Sequence, residues 1–177
     1  MLLEKIENIL ICPICRSNSL KVVNNKLVAS CCNEIFEIED NQIIVFDNTL
    51  LSIPEVRTRD SQAKGYLLHS KFPTQISRMQ KWMSNIPKKL LDGIILDLGC
   101  GPGPTTKMLL EIGARKILSS DFSINSLRVN KDICQNHAAK PIYILQDIRN
   151  IKLMKNSISV LVMADFLQHI TDENERV

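Results

Sequence analysis

The pattern of apolar and polar positions changes character along the chain. In the first fifty residues it is short and interrupted. Leu20-Lys21-Val22-Val23 meets a turn at Asn24-Asn25, returns as Lys26-Leu27-Val28-Ala29, and is followed by Ile35-Phe36-Glu37-Ile38. Short apolar runs bounded by asparagine predict strands joined by a tight turn. Further on, Ile76, Met79, Trp82, Met83 and Ile86 recur at helical spacing, with Pro73 near the first turn, where proline is tolerated. This predicts an amphipathic helix packed on a sheet. From Ile94 the runs become nearly continuous: Ile94-Ile95-Leu96, Lys116 to Asp121, Ile142 to Asp147 and Ile158 to Asp165. Such runs suit parallel strands buried on both faces, and their alternation with helical stretches predicts an α/β parallel sheet.

The first of these strands runs into Asp97-Leu98-Gly99-Cys100-Gly101-Pro102-Gly103. Three glycines remove Cβ atoms, so backbone amides can approach a ligand closely. The helix predicted over Thr105 to Leu110 points its N-terminus at the same place. The dinucleotide spacing G-x-G-x-x-G requires glycine where Pro104 stands, and no Gly-Lys-Ser/Thr ending follows, which excludes a phosphate-binding P-loop. Acids close the later strands at Asp121, Asp147 and Asp165. Taken singly, Asp121 also suits a helix N-cap and Asp147 a turn.

The D-x-G-x-G-x-G pattern resembles motif I of class I S-adenosylmethionine-dependent methyltransferases, and the resemblance is strongest from Ile94 to Ile170. It implies a Rossmann-like fold, present here as the cofactor-binding half, with S-adenosyl-L-methionine as cofactor. The loop of Gly99, Cys100, Gly101 and Gly103 then wraps the amino-acid end, and Asp97 helps hold the ammonium group. Asp121, with Phe122, takes the ribose. Asp147 reads the adenine amino group with Ile148 beside the ring, and Ala164 completes the cofactor set. Asp165 lies at a strand's carboxyl end, where open α/β sheets bind ligands, and His169 is the candidate base, with a helix-surface histidine as the alternative. Ala164-Asp165-Phe166-Leu167 is not the Asn/Asp-Pro-Pro-aromatic motif associated with adenine-N6 or glutamine methylation.

The N-terminal strands carry a second signature. Cys12-Pro13-Ile14-Cys15 is a C-x-x-C knuckle, and Cys31-Cys32 follows the hairpin. The segment to about Asp47 resembles the small zinc-ribbon-like domain of the Trm112 type, which precedes or partners methyltransferase domains. Its second knuckle departs from C-x-x-C, because Ala29 stands where the first cysteine belongs. Adjacent cysteines on an extended backbone point to opposite sides. The ligand set is therefore Cys12, Cys15, Cys31 and Cys32, or three of these with an outside group. The alternative is a metal-free ribbon held by its apolar residues.

Composition adds bounds. The chain has 177 residues, 45% of them hydrophobic, and a net charge of +3. This fits one domain plus a small module, divided as 1–50 (ribbon-like), 51–90 (basic helical linker or lid) and 91–177 (methyltransferase half). No signal peptide or membrane-spanning stretch is read, so a cytoplasmic location with cysteines as thiols or metal ligands is expected. The linker is basic: Arg57, Arg59, Lys64, Lys71, Arg78, Lys81, Lys88 and Lys89 face only Glu55 and Asp60. That is a solvated face over a buried stripe, or a surface for RNA or another anionic substrate. The sequence stops one helix past the fourth strand, which predicts a bare apolar edge at Ile158 to Met163, covered by a complementing chain or a second copy. Two functions are expected from this: methyl transfer to RNA, a metabolite or a protein, or a non-catalytic module that binds cofactor or recruits a partner.

Overall fold

The computed structural model describes residues 6–164, apart from the side chain of Glu55; Asp165, Phe166 and His169 lie outside the described residues. One eight-stranded sheet runs through the molecule. β1 (Leu20–Val23), β2 (Lys26–Ala29), β3 (Glu34–Glu39) and β4 (Ile43–Val45) form an antiparallel meander. Asn24 and Asn25, and then Asp40 and Asn41, adopt positive φ in its hairpin turns, a conformation that asparagine and aspartate tolerate better than most residues. One face of this meander is apolar: Leu20, Leu27, Ala29, Phe36 and Ile38 are buried with Leu10 and Cys12.

The parallel half contains β5 (Ile94–Leu98), β6 (Lys116–Asp121), β7 (Ile142–Leu145) and β8 (Val160–Val162). Its order, β7-β6-β5-β8, reverses direction at β5, as doubly wound sheets do at their ligand crevice. β8 is shorter than the apolar run from Ile158 to Asp165 predicted. It pairs with β5 alone and exposes Leu161, with Met163 exposed just past its end.

β4 joins the two halves. It pairs in parallel with β7, Ile43 opposite Tyr143 and Val45 opposite Leu145, and all three of its residues are buried. Charges repeat the link outside the core: the Arg128 guanidinium donates to both carboxylate oxygens of Glu39, at 2.6 and 2.8 Å, and Lys131 pairs with Asp40.

Four helices complete the described residues. α3 (Pro104–Glu111) and α4 (Ile124–Cys134) follow β5 and β6, as the apolar spacing predicts. α2 (Pro73–Met83) has proline in its first turn and buries Met79 and Met83 in a cluster with Ile95, Leu109 and Ile117. α1 (Pro54–His69) buries little beyond Val56 and Ala63. It is held instead by a polar anchor: Asp60 Oδ1 accepts from Ser123 Oγ at 2.5 Å and from the Asn125 amide at 3.0 Å, at the start of α4.

Candidate functional site

β5 delivers Gly99 to the carboxyl edge of the sheet, and the Gly99 and Cys100 amides donate to the Ser120 carbonyl at 2.8 and 3.1 Å. The chain then turns through Gly101 and Gly103, with φ +51° and +92°, before α3 begins. The two glycines do different jobs. A Cβ on Gly101 would meet nothing within 4 Å, because that face of the loop opens into a cavity. A Cβ on Gly103 would lie 2.2 Å from Asn130 Cγ, so this glycine lets the loop pack against α4.

The cavity has a volume of about 440 Å³. Its floor is the loop (Gly99, Cys100, Gly101), then Asp121 and Phe122 after β6 and Ala164 after β8. Its roof is the linker: Arg59, Tyr66 and His69 of α1, and Arg78, Met79 and Trp82 of α2. The basic linker thus lines the side of the cavity that faces the loop.

A polar network lies beneath the floor. Thr106 Oγ1 donates to Asp97 Oδ2 at 2.6 Å. With its one proton committed, it accepts from Asn130 Nδ2 and from Ser119 Oγ, both at 2.9 Å. Asp97 Oδ1 is buried and has no hydrogen-bond partner among the described residues. Burial pushes the Asp97 carboxyl up to about 7, against the Thr106 hydrogen bond and with the charge of Asp121 adding to the rise. Asp121 accepts from the Gly101 amide and the Ser123 amide, each at 2.9 Å. Burial still raises its pKa, although those amides, that of Phe122 and the charge of Arg59 act the other way. Two buried carboxyls short of compensating charge, below and beside a glycine-rich loop, suit a ligand that carries positive charge.

The site residues named from sequence are distributed as follows. Gly99, Cys100, Gly101, Asp121, Phe122 and Ala164 line one cavity. Asp97 lies under it, and Gly103 turns to α4. Asp147 caps the short helical turn Ile148–Asn150 and is paired with Arg149, whose Nε donates to both carboxylate oxygens at 3.0 Å. Ile148 packs against the core beneath the N-terminal strands. Asp165 and His169 lie outside the described residues. The sequence reading did not single out Asn130, Ser119 or Thr106; a lone polar residue inside an apolar helix or strand was the available signal.

The cysteines form a second centre. The Sγ atoms of Cys12, Cys15, Cys31 and Cys32 all lie within 4.8 Å of one another. The expectation that Cys31 and Cys32 diverge is corrected here. They occupy the β2–β3 turn, not extended backbone, with Asn33 at φ +59°, and both thiols face the knuckle.

Residues 95–177 match the family model described as a methyltransferase domain. No curated protein matches the chain. A solved structure assigned as an S-adenosyl-L-methionine-dependent methyltransferase from Methanococcus maripaludis superposes with a TM-score of 0.57 at 19% identity, covering 66% of this chain and 55% of the other. One with the same assignment from Listeria monocytogenes gives 0.46 at 23% identity, covering 55% and 44%. The chain spans about half the length of these structures. The glycine loop and the reversing strand order give the described part of this segment a Rossmann-like fold, that of class I methyltransferases, and its sequence matches the methyltransferase-domain model.

Proposed function

We propose that the cavity binds S-adenosyl-L-methionine and that the protein transfers its methyl group to an acceptor. The observation that carries this is Gly101, whose absent side chain opens the loop to a cavity flanked by two under-compensated acids. When bound, the cofactor supplies a methyl group on a sulfonium, an excellent leaving group. The protein's task is then mainly alignment, and orientation alone supplies roughly 7–11 kcal/mol of a barrier. The loop amides and Asp121 fix the cofactor, Asp97 contributes negative charge from below, and the α1–α2 roof keeps water out. His169 or Asp165 serves as base where the acceptor must lose a proton.

Arg57, Arg59, Lys64, Lys71, Arg78 and Lys81 on α1, α2 and the turn between them, with exposed Tyr66, Phe72 and Trp82 nearby, favour an anionic acceptor such as RNA over a neutral metabolite. A second reading rests on β8, whose exposed Leu161, with Met163 just past the strand, suits recruitment of a complementing chain or another copy by a module that binds cofactor without turnover. The four thiols, as a Trm112-like ribbon, fit one tetrahedral zinc ion through Cys12, Cys15, Cys31 and Cys32. Among the described residues no helix is long and apolar enough to cross a membrane.

Calorimetric titration with S-adenosylmethionine, S-adenosylhomocysteine and NAD tests the cofactor reading. Binding of the first two and not of NAD is expected, and Asp121→Ala should abolish it without loss of fold. Unchanged affinity in that variant would remove Asp121 from the site.

A further inference from the structure

We infer that α1 and α2 form a stacking platform for an unpaired base of a single-stranded RNA, an inference that narrows the acceptor and rests on the methyl-transfer reading above. The two helices repeat one device. On α1 the Arg59 guanidinium lies over the Tyr66 ring, 5.9 Å from its centroid, and on α2 the Arg78 guanidinium lies over the Trp82 ring, 5.0 Å from its centroid. All four side chains line the cavity whose opposite side is the glycine loop. Tyr66 keeps 44% of its surface exposed and Trp82 38%, although tryptophan is on average among the well-buried residues.

Unstacked nucleobases are held on such surfaces, against aromatic rings and guanidinium planes, because every base has a flat face to offer. Charge argues for a strand over a free base or an apolar peptide. Arg57 and Lys64 of α1, Lys71 in the turn and Lys81 of α2 are exposed. Of the acids on the two helices, the one with a described side chain, Asp60, is half-buried and turned to α4, where it accepts from Ser123 and Asn125. Cations spread over both helices can follow the phosphates of successive nucleotides. A duplex keeps its bases stacked on one another and offers the rings only its backbone. The family match begins at residue 95, so the platform comes from a segment outside the domain that the match covers.

The experiment uses the full chain saturated with S-adenosylhomocysteine and a single-stranded RNA of mixed sequence, about ten nucleotides long. Trp82 is the single tryptophan, so its fluorescence reports the platform directly. Saturable quenching is expected. Binding followed by an end label on the RNA should be roughly tenfold tighter, or more, than for the same strand in a duplex or for an abasic backbone of equal length. Trp82→Leu and Tyr66→Leu should each weaken the RNA by roughly five- to a hundredfold and leave the abasic backbone unchanged, because stacking is lost and charge is kept. Trp82→Phe should retain most of the affinity. Equal weakening of RNA and abasic backbone in the leucine variants would make the rings structural and overturn the inference. So would equal affinity of the wild-type chain for the two, or RNA binding that leaves Trp82 fluorescence unchanged. Both of these are read on the wild-type chain and decide the matter even should the leucine variants fail to fold. Binding of S-adenosylhomocysteine without RNA overturns this inference alone. A folded wild-type chain that binds no S-adenosylhomocysteine sinks the cofactor reading, and this one with it.

Discussion

Single residues in the loop have separable roles. Gly101→Val should leave the fold in place, at a backbone cost of about 1–3 kcal/mol for a side chain at φ +51°, and should abolish cofactor binding by filling the cavity wall. Gly103→Ala should do the reverse. Its Cβ collides with Asn130, which is fully buried and bonded to Thr106, so thermal stability should fall by roughly 3 kcal/mol or more. Melting curves alongside titrations distinguish the pair, and equal stability loss in both would refute the division. Asp97 adds a pH signature. Its carboxyl sits at about 7 in the folded chain, against about 3.9 when unfolded, so the folded state holds the proton more tightly. Its contribution to stability is therefore full below the unfolded value and declines as pH rises through 7, by on the order of 4 kcal/mol. Asp97→Asn removes that slope. Its melting temperature relative to wild type should climb between pH 5 and 8, and a flat difference would count against the assignment. The acids and glycines were legible in the sequence because they recur at strand ends. The division of labour among the glycines was not, since it depends on which way α4 faces the loop.

At the level of elements, α1 is tied to the start of α4 by a polar anchor. Asp60→Ala removes the acceptor for Ser123 Oγ and the Asn125 amide and should cost about 1–3 kcal/mol. Faster amide exchange should be confined largely to Pro54–His69, with weaker cofactor binding. Unchanged exchange there would mean that α1 is held by its apolar contacts. This helix shows why parts of the fold escaped the sequence. α2 was readable because Ile76, Met79 and Met83 form a buried stripe. α1 offers only Val56 and Ala63 to the core, so hydrophobic periodicity gives little sign of it. β4 escapes the sequence for another reason: it is only three residues long, and nothing local identifies its distant partner. The Cys31–Cys32 pair was misjudged because an extended backbone was assumed where a turn forms.

Across the whole molecule, the sheet and the knuckle bind the two halves. Arg16, directly after Cys15, donates to Asn150 Oδ1 at 3.0 Å, and the Ile11 amide donates to the Lys152 carbonyl at 3.0 Å. Lys152 in turn donates its amide to Gln146 Oε1, and Gln146 Nε2 donates to Ser120 Oγ beside Asp121. Protein purified without chelators should carry about one zinc per chain. Stripping it should speed amide exchange in residues 148–154 as well as in the knuckle. Absence of metal would make the cluster a thiol relic, and an effect confined to the knuckle would show that the two halves are uncoupled. The β4–β7 pairing also has a temporal consequence. Ile43 meets Tyr143 across about a hundred residues of chain. At about 5–20 residues per second of synthesis, β4 waits roughly 5–20 seconds for its partner to be made. During that interval the nascent meander presents an open apolar strand edge, so the ribosome-bound chain, more than the finished protein, is the species in need of a chaperone.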